Sequence, residues 1–344
     1  MTGAAKPDWC WRPSHGWLLA QMAWPGAGEL RLVACYKGPV GRTWGWGSSK
    51  VEGVESVELA AVRIASYARR TPVLRVLVDG KPLVLKLELL QRTGSFKFRG
   101  ALNCLLAGGK PEWVVTASGG NHGMAVAAAA SVLGVPATVY APESIPDSKA
   151  RRITEYGATL VRAGSTYAEA AKLAQEQPGT YVPAYDHPEV IAGQGTAAAE
   201  IVTDVPDVDT LVVAVGGGGL AAGTVLGGGG RPVVAVEPRN CRSLHDALAA
   251  GTPVDSAVDS VASDALGATR VGAYPFRILQ AAGAMSVLVS DEEILAARDR
   301  LWEEFRLAVE PAAATPFAAW LAGSVPGDLP CLVICGANTD WTPA

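Results

Sequence analysis

The sequence predicts an α/β architecture of doubly wound open sheets, and two observations carry that expectation. Short, unbroken apolar runs rich in β-branched residues recur at 113–118, 211–215, 233–236 and 331–334. Such runs suit parallel strands buried on both faces. Between them lie longer stretches of helical composition, and this alternation is the pattern of βαβ units. With 344 residues, 49% of them hydrophobic, the chain has the length for about two domains and the apolar content for a sizeable core.

Each element follows in order. From Ser56, residues 59–66 read as an amphipathic helix, stopped by Thr71 and Pro72. A β-rich run at 83–90 leads into Thr93, Gly94 and Ser95, a turn with an N-cap, so Lys97 falls in the first turn of a helix. Residues 113–118 are a buried strand and 121–133 an Ala-rich helix. A strand at 137–140, a helix at 148–156 and a strand at 159–161 come next. The strand at 211–215 precedes a glycine loop, with a helix from Ala221 and a loop at 227–230. The strands at 233–236 and 331–334 complete the pattern.

Lys97 is out of place on electrostatic grounds, because the positive end of the helix dipole disfavours a cation. Its neighbours Phe96 and Phe98 point to a desolvated amine; an ordinary surface lysine is the alternative. An amine that works near neutral pH needs its pKa lowered by roughly 3 units, or about 4 kcal/mol. The dipole contributes only about 0.3–1 kcal/mol. Burial, or covalent capture by a carbonyl cofactor, must supply the remainder.

Two loops have the form of anion sites. Gly216, Gly217, Gly218, Gly219 and Leu220 lie between a strand and a helix, where bare backbone turns its N–H groups inward. A tight turn is one alternative. A dinucleotide site is another, since Gly216, Gly218 and Ala221 satisfy GxGxxA and Glu237 ends the next strand. Ser118, Gly119, Gly120, Asn121 and His122 also join a strand end to a helix start. An N-cap is the plain alternative for Asn121. Cys335 follows the last strand, where a small packed cysteine is the plain alternative.

Residues 86–101, centred on Lys97, resemble the cofactor-lysine segment of the threonine/serine dehydratases. These are fold-type II pyridoxal phosphate (PLP) enzymes, a group that includes the serine racemases. The segments 118–122, 193–196, 216–220 and 335–338 match in the family's order, and the likeness spans about residues 55–341. It implies a tryptophan synthase β-like fold of two doubly wound open-sheet domains with the active site between them. Residues 51–112 and 194–344 would form a large PLP-binding domain, and 113–193 a small one carrying the asparagine loop.

The resemblance also implies roles. Lys97 holds the cofactor as a Schiff base and, once displaced, removes the Cα proton of an amino-acid substrate. Phe96, Asn121, residues 216–220 and Cys335 bind the cofactor: Asn121 its 3′-oxygen, the glycines its phosphate, Cys335 its ring nitrogen. Residues 118–122 bind the substrate, with Ser118 and the backbone taking its carboxylate. The implied activity is elimination of water from L-threonine or L-serine. Serine racemase, or another fold-type II eliminating or replacing enzyme, is the alternative. A nicotinamide oxidoreductase or an inactive metabolite-binding protein is more distant. Two departures stand out. Gly119 replaces the serine that dual-function racemases use as a second base. Glu237 matches one cation ligand of those relatives, but Ser243 stands where an aspartate belongs.

A net charge of −4 argues against nucleic acid or an anionic membrane as partner. Six cysteines without CxxC spacing read as reduced thiols, in keeping with a cytoplasmic enzyme, and the family implies a homodimer. No secretion signal is evident. The most apolar stretch, 125–141, is broken by Gly134 and Pro136 and reads as a buried helix and strand, not a membrane span. Residues 1–50 differ from the rest, with six of the ten tryptophans and only two acidic residues, Asp8 and Glu29. They are expected to be a poorly ordered appendage, with the catalytic chain starting near Val51; a small functional module is the alternative. No regulatory domain like that of the biosynthetic dehydratases is expected after 341.

Overall fold

The computed structural model describes residues 56–342, and before them three strands by their backbone alone. The chain divides into two compact units, 1–49 and 50–344. In the first, β1 (Trp9–Cys10), β2 (Trp17–Ala23) and β3 (Leu30–Tyr36) form an antiparallel sheet. The expectations for this segment lie outside the described residues.

The second unit opens with α1 (Val57–Ile64), whose Ser56 side chain accepts from the Leu59 N–H as an N-cap should. β4 (Val73–Val78) and β5 (Lys81–Lys86) form a hairpin. The strand expected to run to residue 90 ends at Lys86 and becomes a 3₁₀ turn over Glu88–Leu90. The reason is Glu88, whose buried carboxylate turns inward to Arg99 and the Thr71 hydroxyl. Then come α2 (Lys97–Ala107), β6 (Val114–Ala117), α3 (Asn121–Val132), β7 (Ala137–Ala141), α4 (Asp147–Glu155), β8 (Thr159–Arg162), α5 (Tyr167–Gln175) and β9 (Thr180–Tyr181). α6 (Pro188–Asp204) leads to β10 (Thr210–Ala214), α7 (Gly219–Gly227) and β11 (Val233–Pro238). The chain continues through α8 (Ser243–Ala250), α9 (Ser263–Leu266), α10 (Ala273–Ala281), β12 (Met285–Val289), α11 (Asp291–Phe305), α12 (Pro311–Leu321) and β13 (Pro330–Val333).

Two sheets result. The larger has strand order β12-β11-β10-β13-β5-β4 and is parallel except for β4. The smaller, β8-β7-β6-β9, is parallel throughout. In the larger sheet β10, β11 and β12 step outward, and β13 returns to lie between β10 and β5. That reversal is the place where α/β sheets bind ligands, beyond the strands' carboxyl ends. The apolar stretch 125–141 forms most of the buried α3 and all of β7, and no described helix is long and apolar enough to cross a membrane.

The 193–196 match sits in α6 and explains how the helices meet. A Cβ on Gly193 would lie 2.7 Å from the Arg99 carbonyl oxygen and the Gly100 Cα, so α6 approaches α2 backbone to backbone. Beneath that contact lies a buried charge cluster. Arg99 of α2, 1% exposed, donates to both oxygens of Glu88 and of Glu200 on α6. Lys86 of β5 completes it, donating to Glu200 (2.6 Å) and the Thr71 carbonyl (2.7 Å).

Arg99→Ala leaves Glu88 buried without its counter-charge. We expect a loss of about 3–5 kcal/mol in unfolding free energy by urea denaturation; a loss under about 1 kcal/mol would mean water replaces the guanidinium.

Candidate active site

A cavity of about 610 Å³ is lined by the carboxyl ends of strands from both sheets. Ser118 follows β6, Gly216 follows β10 and Cys335 follows β13. Phe96 and Lys97 enter from the start of α2. Every candidate cofactor- or substrate-binding residue named from the sequence lines this one cavity; Glu237 does not.

Lys97 is the first residue of α2, and Phe96 precedes it without a side-chain cap. The expected N-cap, Ser95, is instead extended and bridges Gly336, with its hydroxyl buried and unpartnered. Backbone bonds from Phe96 N to Cys335 O (3.0 Å) and from Ala337 N to Gly94 O (2.9 Å) tie this loop to the last strand's exit. The Lys97 ammonium donates to the Ala184 carbonyl at 2.8 Å and lies 5.3 Å from the centre of the Phe96 ring. Burial lowers its pKa to about 8, partly opposed by the negative charge of Glu310.

The asparagine loop opens α3 as expected, but Asn121 is not its N-cap; Gly120 holds that position. The Asn121 amide donates to both Glu310 oxygens (2.8 and 3.0 Å) and accepts from Asn338 Nδ2 (2.7 Å). Ser118 Oγ accepts from Gly120 N–H at 3.1 Å, which leaves its own O–H available to an acceptor in the cavity. His122, expected at the substrate, is buried with Nε2 against Thr116 Oγ1 (2.9 Å) and the Val182 carbonyl (3.0 Å). Burial pushes its pKa down to about 3, so it is neutral and reads as part of the packing under α3.

The glycine loop meets the requirements of an anion cradle. Gly218 has φ +89°, and a Cβ there would lie 2.7 Å from Pro275 Cβ. α7 starts at Gly219, and its first-turn N–H groups have no intrahelical acceptors. A Cβ on Gly217 would collide with the Tyr185 ring. The loop, the amine of Lys97 and the Asn121 amide therefore fit a phosphate-bearing aldehyde cofactor. Cys335 is buried, and burial pushes its pKa well up, so it is a neutral thiol.

Glu237 is the residue the cavity does not include. Its carboxylate caps α8, accepting from Leu244 N–H (2.8 Å) and His245 N–H (2.9 Å), and burial raises its pKa to about 8. Each oxygen thus accepts from one backbone N–H, a helix-capping role, where the sequence left a cation or a ribose open. No group of three or more His, Cys, Asp or Glu side chains suited to a metal occurs among the described residues.

Residues 64–336 match the family model described as pyridoxal-phosphate dependent enzyme. The chain belongs to that family. An L-threonine ammonia-lyase of Geobacter sulfurreducens is 39% identical over 275 residues, 76% of this chain and 68% of that protein. A serine racemase of Rattus norvegicus is 35% identical over 315 residues, 83% of this chain and 93% of its own. Among solved structures, a threonine deaminase from T.th. superposes with a TM-score of 0.79 at 35% identity, covering 83% of this chain and 98% of that one. The fold is therefore fold-type II, and the cofactor is pyridoxal phosphate.

Sequence reasoning missed Glu310, Tyr185 and the Ala184 carbonyl. Glu310 stands alone before Pro311 and an Ala-rich run, which reads only as a helix start. Tyr185 and Ala184 precede α6 in a stretch without any motif.

Gly218→Ala combines left-handed backbone with a Cβ clash. We expect cofactor affinity to fall about tenfold or more, read by titrating the apoprotein with pyridoxal phosphate and following absorbance.

Proposed function

We propose that the protein is an ammonia-lyase that eliminates water from L-threonine or L-serine, giving a 2-oxo acid and ammonia. The observation that carries this reading is the desolvated Lys97 amine facing the asparagine loop and the glycine cradle across one cavity. Relatives named as threonine ammonia-lyase and threonine deaminase support it.

Pyridoxal phosphate, when bound, supplies the electron sink that lets a Cα–H bond ionise. The remaining tasks fall to side chains. Residues 216–219 and the start of α7 hold the phosphate through backbone N–H groups. Ser118 and the N–H groups opening α3 hold the substrate carboxylate, whose charge suits a helix N-terminus. Lys97 takes the Cα proton. With a pKa near 8, roughly a tenth of such amines are neutral at pH 7, against well under a thousandth for an unperturbed lysine. The Ala184 carbonyl fixes where Nζ sits. Asn121 would offer an N–H to the cofactor 3′-oxygen, and Cys335 would face the ring nitrogen as a neutral thiol. A thiol leaves that nitrogen largely unprotonated, which favours elimination over deeper carbanion chemistry. We read the protein as a homodimer, as the family resemblance implies, and as cytoplasmic, with which the free thiols Cys104, Cys241, Cys331 and Cys335 are in keeping.

Lys97→Ala should remove both the visible absorption band of the bound cofactor and 2-oxo acid formation, while the far-UV spectrum stays native. Retained colour and turnover would overturn the reading.

Racemisation needs a proton donor on the cavity wall opposite the lysine, and Gly119 supplies none. A Cβ there would lie 3.2 Å from Ile145 Cδ1, so a serine fits only if Ile145 yields by a few tenths of an ångström. The unmutated enzyme should release little or no D-isomer, and Gly119→Ser should raise racemisation more than elimination. Chiral chromatography after partial turnover checks this, and substantial D-serine from the native enzyme would favour the racemase alternative.

A further inference from the structure

A chain of amide groups that meets the cavity wall at Asn121 and Glu310 has only one workable direction. Asn338 Nδ2 donates to the Thr93 carbonyl (2.7 Å) and to Asn121 Oδ1 (2.7 Å), and Asn121 Nδ2 donates to the Glu310 carboxylate. A backbone carbonyl only accepts, so Thr93 dictates which end of the Asn338 amide faces it. Asn338 then dictates the orientation of Asn121. Turning Asn121 over would set its oxygen against the carboxylate and its NH₂ against the NH₂ of Asn338, exchanging three attractive contacts for repulsive ones.

Glu310 closes this chain and is itself fixed. It is 6% exposed, its N–H donates to the Gly336 carbonyl (3.3 Å), and a Cβ on Gly336 would collide with its carboxylate. Thr93 at the other end is held in left-handed backbone, φ 65°, with Gly94 at φ +73° beside it. The chain thus runs from the loop before Lys97 to the cap of α12, and Asn121 is its middle member.

We infer that Glu310 is a positioning residue: its carboxylate clamps the Asn121 amide so that Asn121 presents an N–H, never its carbonyl, to the cofactor. This rests on the reading of Asn121 as the group at the 3′-oxygen. An oxygen that carries negative charge when the cofactor is bound needs a donor, and a carboxylate behind the amide polarises that donor further. The charged and titratable groups around Glu310 are Lys149 of α4, Asp264 of α9, Lys97 of α2 and Cys335 after β13. Burial raises the Glu310 pKa to about 7, with the Asn121 bond acting against it. The clamp is therefore fully charged above neutrality and weakens as the pH falls through 7.

The test is a double-mutant cycle on the substrate-free holoenzyme, read by cofactor affinity and by the pH dependence of the visible band. Asn121→Ala should weaken cofactor binding about tenfold and Glu310→Gln about three- to tenfold, while Glu310→Gln added to Asn121→Ala should cost less than about twofold. The visible band of the native enzyme should change between pH 6 and 8, and Glu310→Gln should erase that change. Glu310→Asp keeps the charge but withdraws it from the amide; it serves the same cycle if the glutamine variant does not accumulate folded. Equal cost of the Glu310 change in both backgrounds, or an unaltered pH profile, overturns the clamp alone. Native affinity in Asn121→Ala would overturn the placement of Asn121 at the cofactor, and the clamp with it.

Discussion

The structure around the site depends on how Arg99 is buried. Its guanidinium sits two residues beyond Lys97 and is shared between Glu88, which follows β5, and Glu200 of α6. Lys86 adds a second cation on Glu200, so two positive and two negative groups close a neutral cluster. Such clusters add little net stability against an apolar replacement, but they punish any arrangement that leaves one member unpaired. The geometry they permit is narrow: α2 must lie where the guanidinium reaches both carboxylates. That requirement fixes the rotation of α2 and hence the direction in which Lys97 leaves it. The close glycine contact between α2 and α6 meets the same need, because a side chain at Gly193 would push the helices apart.

The parallel strands were legible because burial on both faces produces unbroken apolar runs, and 113–118, 211–215, 233–236 and 331–334 became β6, β10, β11 and β13 within a residue or two. The strand β12 was not, since Ser286 interrupts its apolar residues and leaves a run of only three, Val287 to Val289, in a strand whose first four residues are exposed or half-buried. Residues 87–90 misled for the opposite reason: an apolar run there carries one buried acid, whose partner Arg99 sits 11 positions on, inside the next helix, where no strand pattern announces it. At the site, the residues on motifs were legible, and the residues that hold them were not. Asn121 sits on a loop with a recognisable form. Glu310 reaches it across 189 positions, and no local pattern encodes that contact.

Two buried carboxylates set against each other separate scaffold from site. Glu88 is the more enclosed, yet its pKa is lowered, because Arg99 and Lys86 outweigh the cost of burial. Glu310 meets an amide instead of a cation at bonding distance, and its pKa rises to about 7. Lys97 follows Glu310: it has a carbonyl for a partner where Lys86 has a carboxylate, and its pKa falls to about 8. The protein thus pins charge in the cluster beneath α2 and withholds counter-charge in the cavity a few residues away. A group whose ionised form is stabilised by a tight ion pair gives up or takes a proton only at a large energetic cost. One held by neutral dipoles stays close to the balance point near neutral pH. An amine that must bind a carbonyl and then move a proton needs the second environment. The rigidity that holds it in place comes from the first.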